Sequence, residues 1–115
     1  MNRHKRAAPV PLGAFEEQVM LAVVRTGQDA YGMNVRRELE AVTEREVTIG
    51  SVYATLDRLE AKSLVASNRV SVAADVPSRR IFAVTPTGVH SLALTRSVRE
   101  RLWHGVNLRA LMSGL

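Results

Sequence analysis

Thr48-Ile49-Gly50-Ser51-Val52-Tyr53-Ala54-Thr55-Leu56-Asp57-Arg58-Leu59-Glu60 is the most informative stretch of the chain. Thr48 is a good N-cap, and the residues after it predict a helix from Ile49 to about Ser63, with Val52, Leu56 and Leu59 turned inward at helical spacing. The opposite arc is Gly50, Ala54 and Asp57, flanked by Ser51, Tyr53 and Arg58. A helix whose outer face is this small and this rich in hydrogen-bonding groups is built to approach something closely.

Working backwards, Tyr31, Val35, Leu39 and Val42 predict a preceding helix that ends near Thr43, with Asp29 as its cap and Arg36, Arg37, Glu38 and Glu40 facing out. Gly27 closes an earlier helix, Leu12 to about Thr26, whose apolar positions Leu12, Phe15, Val19, Ala22 and Val23 are widened by Met20, Leu21 and Val24 into a largely buried stripe. Working forwards, the period falls towards 2. Val65, Val70 and Val72, then Ile81 and Val84, predict a hairpin with Ala73-Ala74-Asp75-Val76-Pro77-Ser78 as its turn. Thr85-Pro86 opens a last helix as N-cap and N1 proline, running to about Leu111.

The fold class is therefore mainly α with a small β-hairpin, in the order three helices, two strands, one long helix. That is the layout of a winged helix-turn-helix, in which the third helix enters the DNA major groove and the hairpin touches the flanking backbone. Residues 1–11, with Arg3, Lys5 and Arg6 before Pro9 and Pro11, form a basic arm; 12–85 form the winged domain; 86–115 form a C-terminal helix.

Composition supports one small domain. The chain has 115 residues, 46% hydrophobic and 23% charged, and at this size folding buries roughly 65% of the unfolded surface, so a partner subunit would usefully enlarge the core. Its net charge of +5 favours an anionic partner. Fourteen of its 16 basic residues are arginine, which suits either bidentate recognition of phosphate and guanine or an arginine-rich codon usage.

Several function classes drop out. With no cysteine there is neither a disulfide framework nor thiolate chemistry. His4, His90 and His104 lie far apart with no carboxylate at ligand spacing, so no metal and no cofactor is expected. No G-x-S-x-G, G-x-G-x-x-G or G-x-x-x-x-G-K string is present, and no catalytic residues are expected. The longest apolar run, Val19 to Val24, is far too short to cross a bilayer. Ala7-Ala8-Pro9-Val10-Pro11 stands where an export signal would need an apolar segment, so the expected home is the cytoplasm.

On the third helix, Gly50 and Ala54 allow close approach to a groove floor, Ser51 can meet base or phosphate, Arg58 can reach phosphate or guanine, and Tyr53 can offer its hydroxyl to a phosphate. A structural alternative has Tyr53 as a half-buried packing residue and Arg58 as a member of a surface charge cluster with Glu60 or Lys62. A further alternative for the whole chain is a protein-interaction module that never touches DNA, which the acids Asp57 and Glu60 keep open.

Ala30-Tyr31-Gly32, together with Ile49 to Glu60, Leu64-Val65, Arg80-Ile81-Phe82 and Val84-Thr85-Pro86-Thr87-Gly88, resembles the PadR family of bacterial transcriptional regulators over residues 12 to about 92. The resemblance implies a homodimeric repressor on a pseudo-palindromic operator, a C-terminal helix that forms much of the dimer interface, and an effector that loosens DNA binding. Wings in that family usually carry a Gly-Gly turn, where this chain has Asp75-Val76-Pro77-Ser78; Arg79 and Arg80 are its candidate wing contacts.

On the last helix Leu94, Val98, Leu102 and Val106 recur every four residues, a stripe that a monomer would leave exposed and a twofold mate would bury. Trp103 lies beside it with Arg99 one turn earlier. In short PadR-like proteins the cavity between subunits is where a small, flat aromatic effector is expected, which makes Arg99 and Trp103 its candidate contacts; plain interface packing is the alternative for Trp103.

Overall fold

The computed structural model describes residues 11–71 and 73–114. The basic arm therefore falls, all but Pro11, outside the described residues, as does Val72 of the expected first strand. The elements are α1 Ala14–Thr26, a 3-10 turn Gly27–Asp29, α2 Gly32–Thr43, α3 Ile49–Ala61, β1 Val65–Val70, β2 Arg79–Val84, α4 Pro86–Trp103 and α5 Leu108–Ser113.

Helix α1 starts where the Glu16 carboxylate accepts from the Gly13 N–H at 3.1 Å, and it ends where Gly27 takes φ 63°, a backbone region that favours glycine. Val19, Met20, Ala22 and Val23 are buried. Leu21 and Val24, expected to widen the buried stripe, are instead 43% and 55% exposed. The helix buries its inner face against α2, α3 and β2, while Leu21 borders an open cleft towards Val89 and Leu92 of α4.

Asp29 does not cap α2 with its side chain. It closes the 3-10 turn, and its carbonyl accepts from the Tyr31 N–H at 2.8 Å and from Asn34 Nδ2 at 3.0 Å. The N-cap is Tyr31, in extended backbone. Val35 and Leu39 are buried as expected, whereas Val42, in the last turn of α2, is 57% exposed. In α3 the expected cap is present: Thr48 Oγ1 accepts from the Ser51 N–H at 3.1 Å, and Val52, Leu56 and Leu59 have no exposed surface. The helix ends at Ala61, two residues before the expected Ser63.

Strands β1 and β2 pair antiparallel from Val65↔Val84 to Val70↔Arg79. Because strand side chains alternate between faces, Val65, Ser67 and Arg69 share one face with Val84, Phe82 and Arg80. Phe82, on that face, is among the most buried side chains of the core. A third short edge forms at Ala30-Tyr31: the Phe82 N–H donates to the Ala30 carbonyl at 2.9 Å, and Tyr31 bridges Ile81. The hairpin is thereby tied to the start of α2.

Helix α4 begins as expected, with Thr85 Oγ1 accepting from the Gly88 N–H at 3.0 Å and donating to the Ser63 carbonyl at 2.7 Å. Gly88 lets α4 approach the chain so closely that a Cβ there would lie 2.1 Å from the Leu64 carbonyl. Thr95 accepts from the Leu12 N–H at 2.9 Å and fastens the entry to α1. The expected single helix to Leu111 does not form. It stops at Trp103, Gly105 takes φ 80°, and Asn107 caps the separate α5 by accepting from the Ala110 N–H.

Candidate nucleic-acid interface

The angle between α2 and α3 is set by two side chains that the amphipathic pattern placed in solvent. Arg36 Nε donates to the Val47 carbonyl at 2.9 Å, and Glu40 Oε2 accepts from the Val47 N–H at 2.9 Å. Both polar groups of one turn residue are held from one face of α2, which fixes how α3 leaves the domain. Tyr53 fixes it from the other side. Its ring packs over Gly32, where a Cβ would fall 2.3 Å from the ring carbon Cζ. The Tyr-Gly pair and Tyr53 are thus two halves of one contact.

With α3 so placed, Gly50, Ser51, Ala54, Asp57 and Arg58 are all exposed, and Tyr53 is half-buried in the packing position weighed for it above. Nothing lies within 4 Å of where a Gly50 Cβ would stand. The Ser51 hydroxyl donates to the Thr48 carbonyl at 2.8 Å, which leaves its oxygen lone pairs outward. Arg58 donates only to Thr55 Oγ1, at 3.2 Å. Neither partner considered for an Arg58 surface network is available. Glu60 is held by Arg80, and Lys62 pairs with Glu16 at 2.9 Å. Among the described residues Arg58 makes no ion pair, although its charge adds to the Lys62 hydrogen bond that holds the Glu16 carboxyl below the usual glutamate range.

The two wing arginines are adjacent in sequence and opposite in role. Arg79 is exposed, its guanidinium 4.4 Å from the centre of the Tyr31 ring, a stacking contact that leaves its N–H edge free. Arg80 is turned inward. Its Nη1 lies 3.0 Å from Asp57, its Nη2 2.5 Å from Glu60, and its Nε donates to Ser67 Oγ at 3.2 Å. Hydrogen bonds from Ser67 and then Arg80 hold the Glu60 carboxyl below the usual glutamate range. Burial pulls the Arg80 guanidinium down, but its bonds to Glu60 and Asp57 outweigh that and leave its pKa raised. The Asp57–Glu60–Arg80 cluster gave no sequence signal beyond the i, i+3 spacing of the two acids.

On α4, Leu94 and Val98 are half-buried, whereas Leu102 is 72% exposed. Val106 lies beyond the end of α4, so the expected four-residue stripe breaks before its last member. Arg99 is bound to Glu17 of α1 at 2.5 and 2.7 Å, and that hydrogen bond raises its pKa. Arg99, Leu102, Trp103, Val106 and Leu108 line a shallow, apolar depression of about 250 Å³. Among the described residues no group of His, Asp and Glu could hold a metal ion, and no helix is long and apolar enough to cross a membrane.

Solved structures share this architecture. The chain is similar to a PadR-like transcription factor from Bacteroides fragilis, with 22% identity, TM-score 0.66, and coverage of 76% of this chain and 82% of that one. It is also similar to a PadR-like transcriptional regulator from Bacillus cereus, with 18% identity, TM-score 0.70, and coverage of 90% and 95%. RosR of H. salinarum matches at 22% identity and TM-score 0.66, over 90% and 87% of the two chains. These likenesses establish the fold. No curated protein matches the sequence. Residues 20–94, well over half of the chain, match the model of the transcriptional regulator PadR-like family. With the helix order, the Tyr31-Gly32 contact on Tyr53 and that match all in agreement, this chain belongs to the PadR-like family of transcriptional regulators.

Proposed function

We propose that the protein is a cytoplasmic, homodimeric repressor that binds a pseudo-palindromic operator through α3 and is released by a small aromatic effector. The observation that carries the DNA-binding step is the outer arc of α3. Gly50, Ser51 and Ala54 give a low surface, and Arg58 stands at its end in no ion pair among the described residues. In this reading each α3 occupies a major groove, with half-sites about one helical turn, roughly 34 Å, apart. Arg79 reaches the flanking backbone. The alternative of a pure protein-docking surface drew on Asp57 and Glu60, and both carboxylates are engaged by Arg80. Tyr53, with its ring committed to Gly32, serves to hold α3 in place, its hydroxyl at most an incidental contact.

Dimerisation is supported by the C-terminal arm, where Leu102, Trp103, Val106, Leu108, Leu111 and Met112 are all between 46% and 72% exposed. A twofold mate would bury them. Because Arg99 is tied to Glu17, the residue left to stack on an aromatic effector is Trp103, and the ligand must prefer one dimer geometry to loosen the operator complex. Trp103 is the only tryptophan, so quenching of its fluorescence by planar aromatic compounds reads this site directly.

The test of the α3 assignment is Arg58→Ala. Its side chain makes one neutral hydrogen bond, so the expected result is an unchanged melting temperature with operator affinity down by roughly 5- to 100-fold, the worth of one guanidinium contact to base or phosphate. A large loss of stability with DNA affinity intact would assign Arg58 to the fold instead.

A further inference from the structure

We propose that Arg80 is a positioning residue, which locks the wing to the recognition helix and cancels the charge that helix carries, and that Arg79 alone is the phosphate-facing cation of β2. The inference rests on the DNA-binding role of α3 proposed above.

The geometry separates the two arginines. In a strand, neighbours point to opposite faces. Arg80 shares its face with Phe82, Ser67 and Val65, the face that covers the core and α3, whereas Arg79 points away from it. All three nitrogens of the Arg80 guanidinium are engaged by acceptors on two other elements: Asp57 and Glu60 on α3, and Ser67 on β1. Ser67 in turn donates to Glu60 Oε2 at 2.9 Å, which closes the network into a ring. The guanidinium also lies 4.8 Å from the centre of the Phe82 ring, so its flat face is covered as well as its edge. A phosphate would have to break two ion pairs to reach it.

Two consequences follow from the charges. Asp57 and Glu60 stand on the helix proposed to enter a polyanion, and without Arg80 both would face DNA uncompensated. Arg69 stands directly opposite Arg80 across the ladder, and like charges so placed repel unless acids intervene. The same two carboxylates therefore hold the hairpin together and are themselves neutralised by it. Planarity matters here, because a lysine ammonium is a single point and cannot span three acceptors on two elements.

The experiment is fluorescence anisotropy of the full chain on duplex from its own upstream region, and on scrambled duplex, across a salt series. It compares wild type with Arg79→Ala, Arg79→Lys, Arg80→Ala, Arg80→Lys and Arg80→Ala combined with Glu60→Gln. A phosphate contact is one unit of charge, so Arg79→Ala should lower the slope of log affinity against log salt by about 0.9, and Arg79→Lys should stay near wild type. Arg80→Lys keeps the charge and the stem but loses the fork. It should lose affinity by roughly tenfold at fixed salt, as Arg80→Ala does, with the slope unchanged in both. Glu60→Gln should recover part of the affinity lost in Arg80→Ala. Wild-type behaviour of Arg80→Lys, with the slope of Arg80→Ala lowered as in Arg79→Ala, would make Arg80 a phosphate contact and overturn the assignment. Failure of the wild-type protein to distinguish the two duplexes would instead overturn the DNA-binding role on which the assignment rests.

Discussion

Gly32 and Gly50 are both helical glycines, and replacing either with alanine would ordinarily stabilise a helix by about 0.4–1 kcal/mol. Their surroundings give them opposite outcomes. A Cβ at Gly32 collides with the Tyr53 ring, so Gly32→Ala should lower stability by about 1–3 kcal/mol, measured by urea unfolding. A Cβ at Gly50 meets open space, so Gly50→Ala should leave unfolding unchanged or slightly improved while weakening operator binding, because the added methyl occupies the low outer arc of α3. The acid limb of stability is also a residue-scale property. Glu60, hydrogen-bonded by Ser67 and Arg80, and Glu16, hydrogen-bonded by Lys62, both titrate below the ordinary glutamate value of about 4.3. A depressed carboxyl stabilises the fold fully above its unfolded value and stops doing so as pH falls through the native one. The difference in melting temperature between wild type and Glu60→Gln should therefore be constant from pH 7 to 5 and close below about pH 4.5. At this scale the sequence was legible where one residue type has one use: Thr48 and Thr85 as caps, Gly27 as a stop. It was not legible where a side chain had a choice of partners across the fold. Nothing local says that Arg36 bonds the Val47 carbonyl, or that of two adjacent arginines one turns in and one out, although strand alternation alone requires that they part.

The elements were legible through their periodicity, and the errors lie where periodicity outlasts its cause. Val52, Leu56 and Leu59 are buried because α1, α2 and the hairpin pack against α3, and the same spacing read them correctly. Leu21, Val24 and Val42 fit the same rhythm yet are exposed, Leu21 on an open cleft between α1 and α4 that the core does not fill. At the C-terminus, a four-residue repeat from Leu94 to Val106 suggested an unbroken helix, but Gly105 adopts left-handed backbone and turns the chain into α5. The repeat records which residues want burial, whether or not one helix presents them. If burial comes from a second copy, Leu102→Glu should shift the protein from dimer to monomer in sedimentation at micromolar concentration without unfolding the winged domain, since Leu102 is 72% exposed within one chain. A dimer that survives this change would place the interface elsewhere.

As a whole the molecule is longer than its mass requires. Its radius of gyration is 17.3 Å, with extents of 63 × 46 × 20 Å, where a compact chain of this length would have about 13 Å. The excess is consistent with an arm that leaves the domain: past Arg99, bound to Glu17, every described residue from Arg101 onward is exposed. In the proposed dimer the exposed apolar arm would fix the distance between the two α3 helices. The net charge of +5 agrees with an anionic partner, but charge alone does not choose a sequence. Selective operator binding by two protomers through α3 is tested by stoichiometric titration of upstream duplex, against scrambled duplex, over a range of salt. The expected result is two protomers per site, a preference for the upstream sequence, and affinity that falls steeply as salt rises. Equal, weak binding to both duplexes would contradict it.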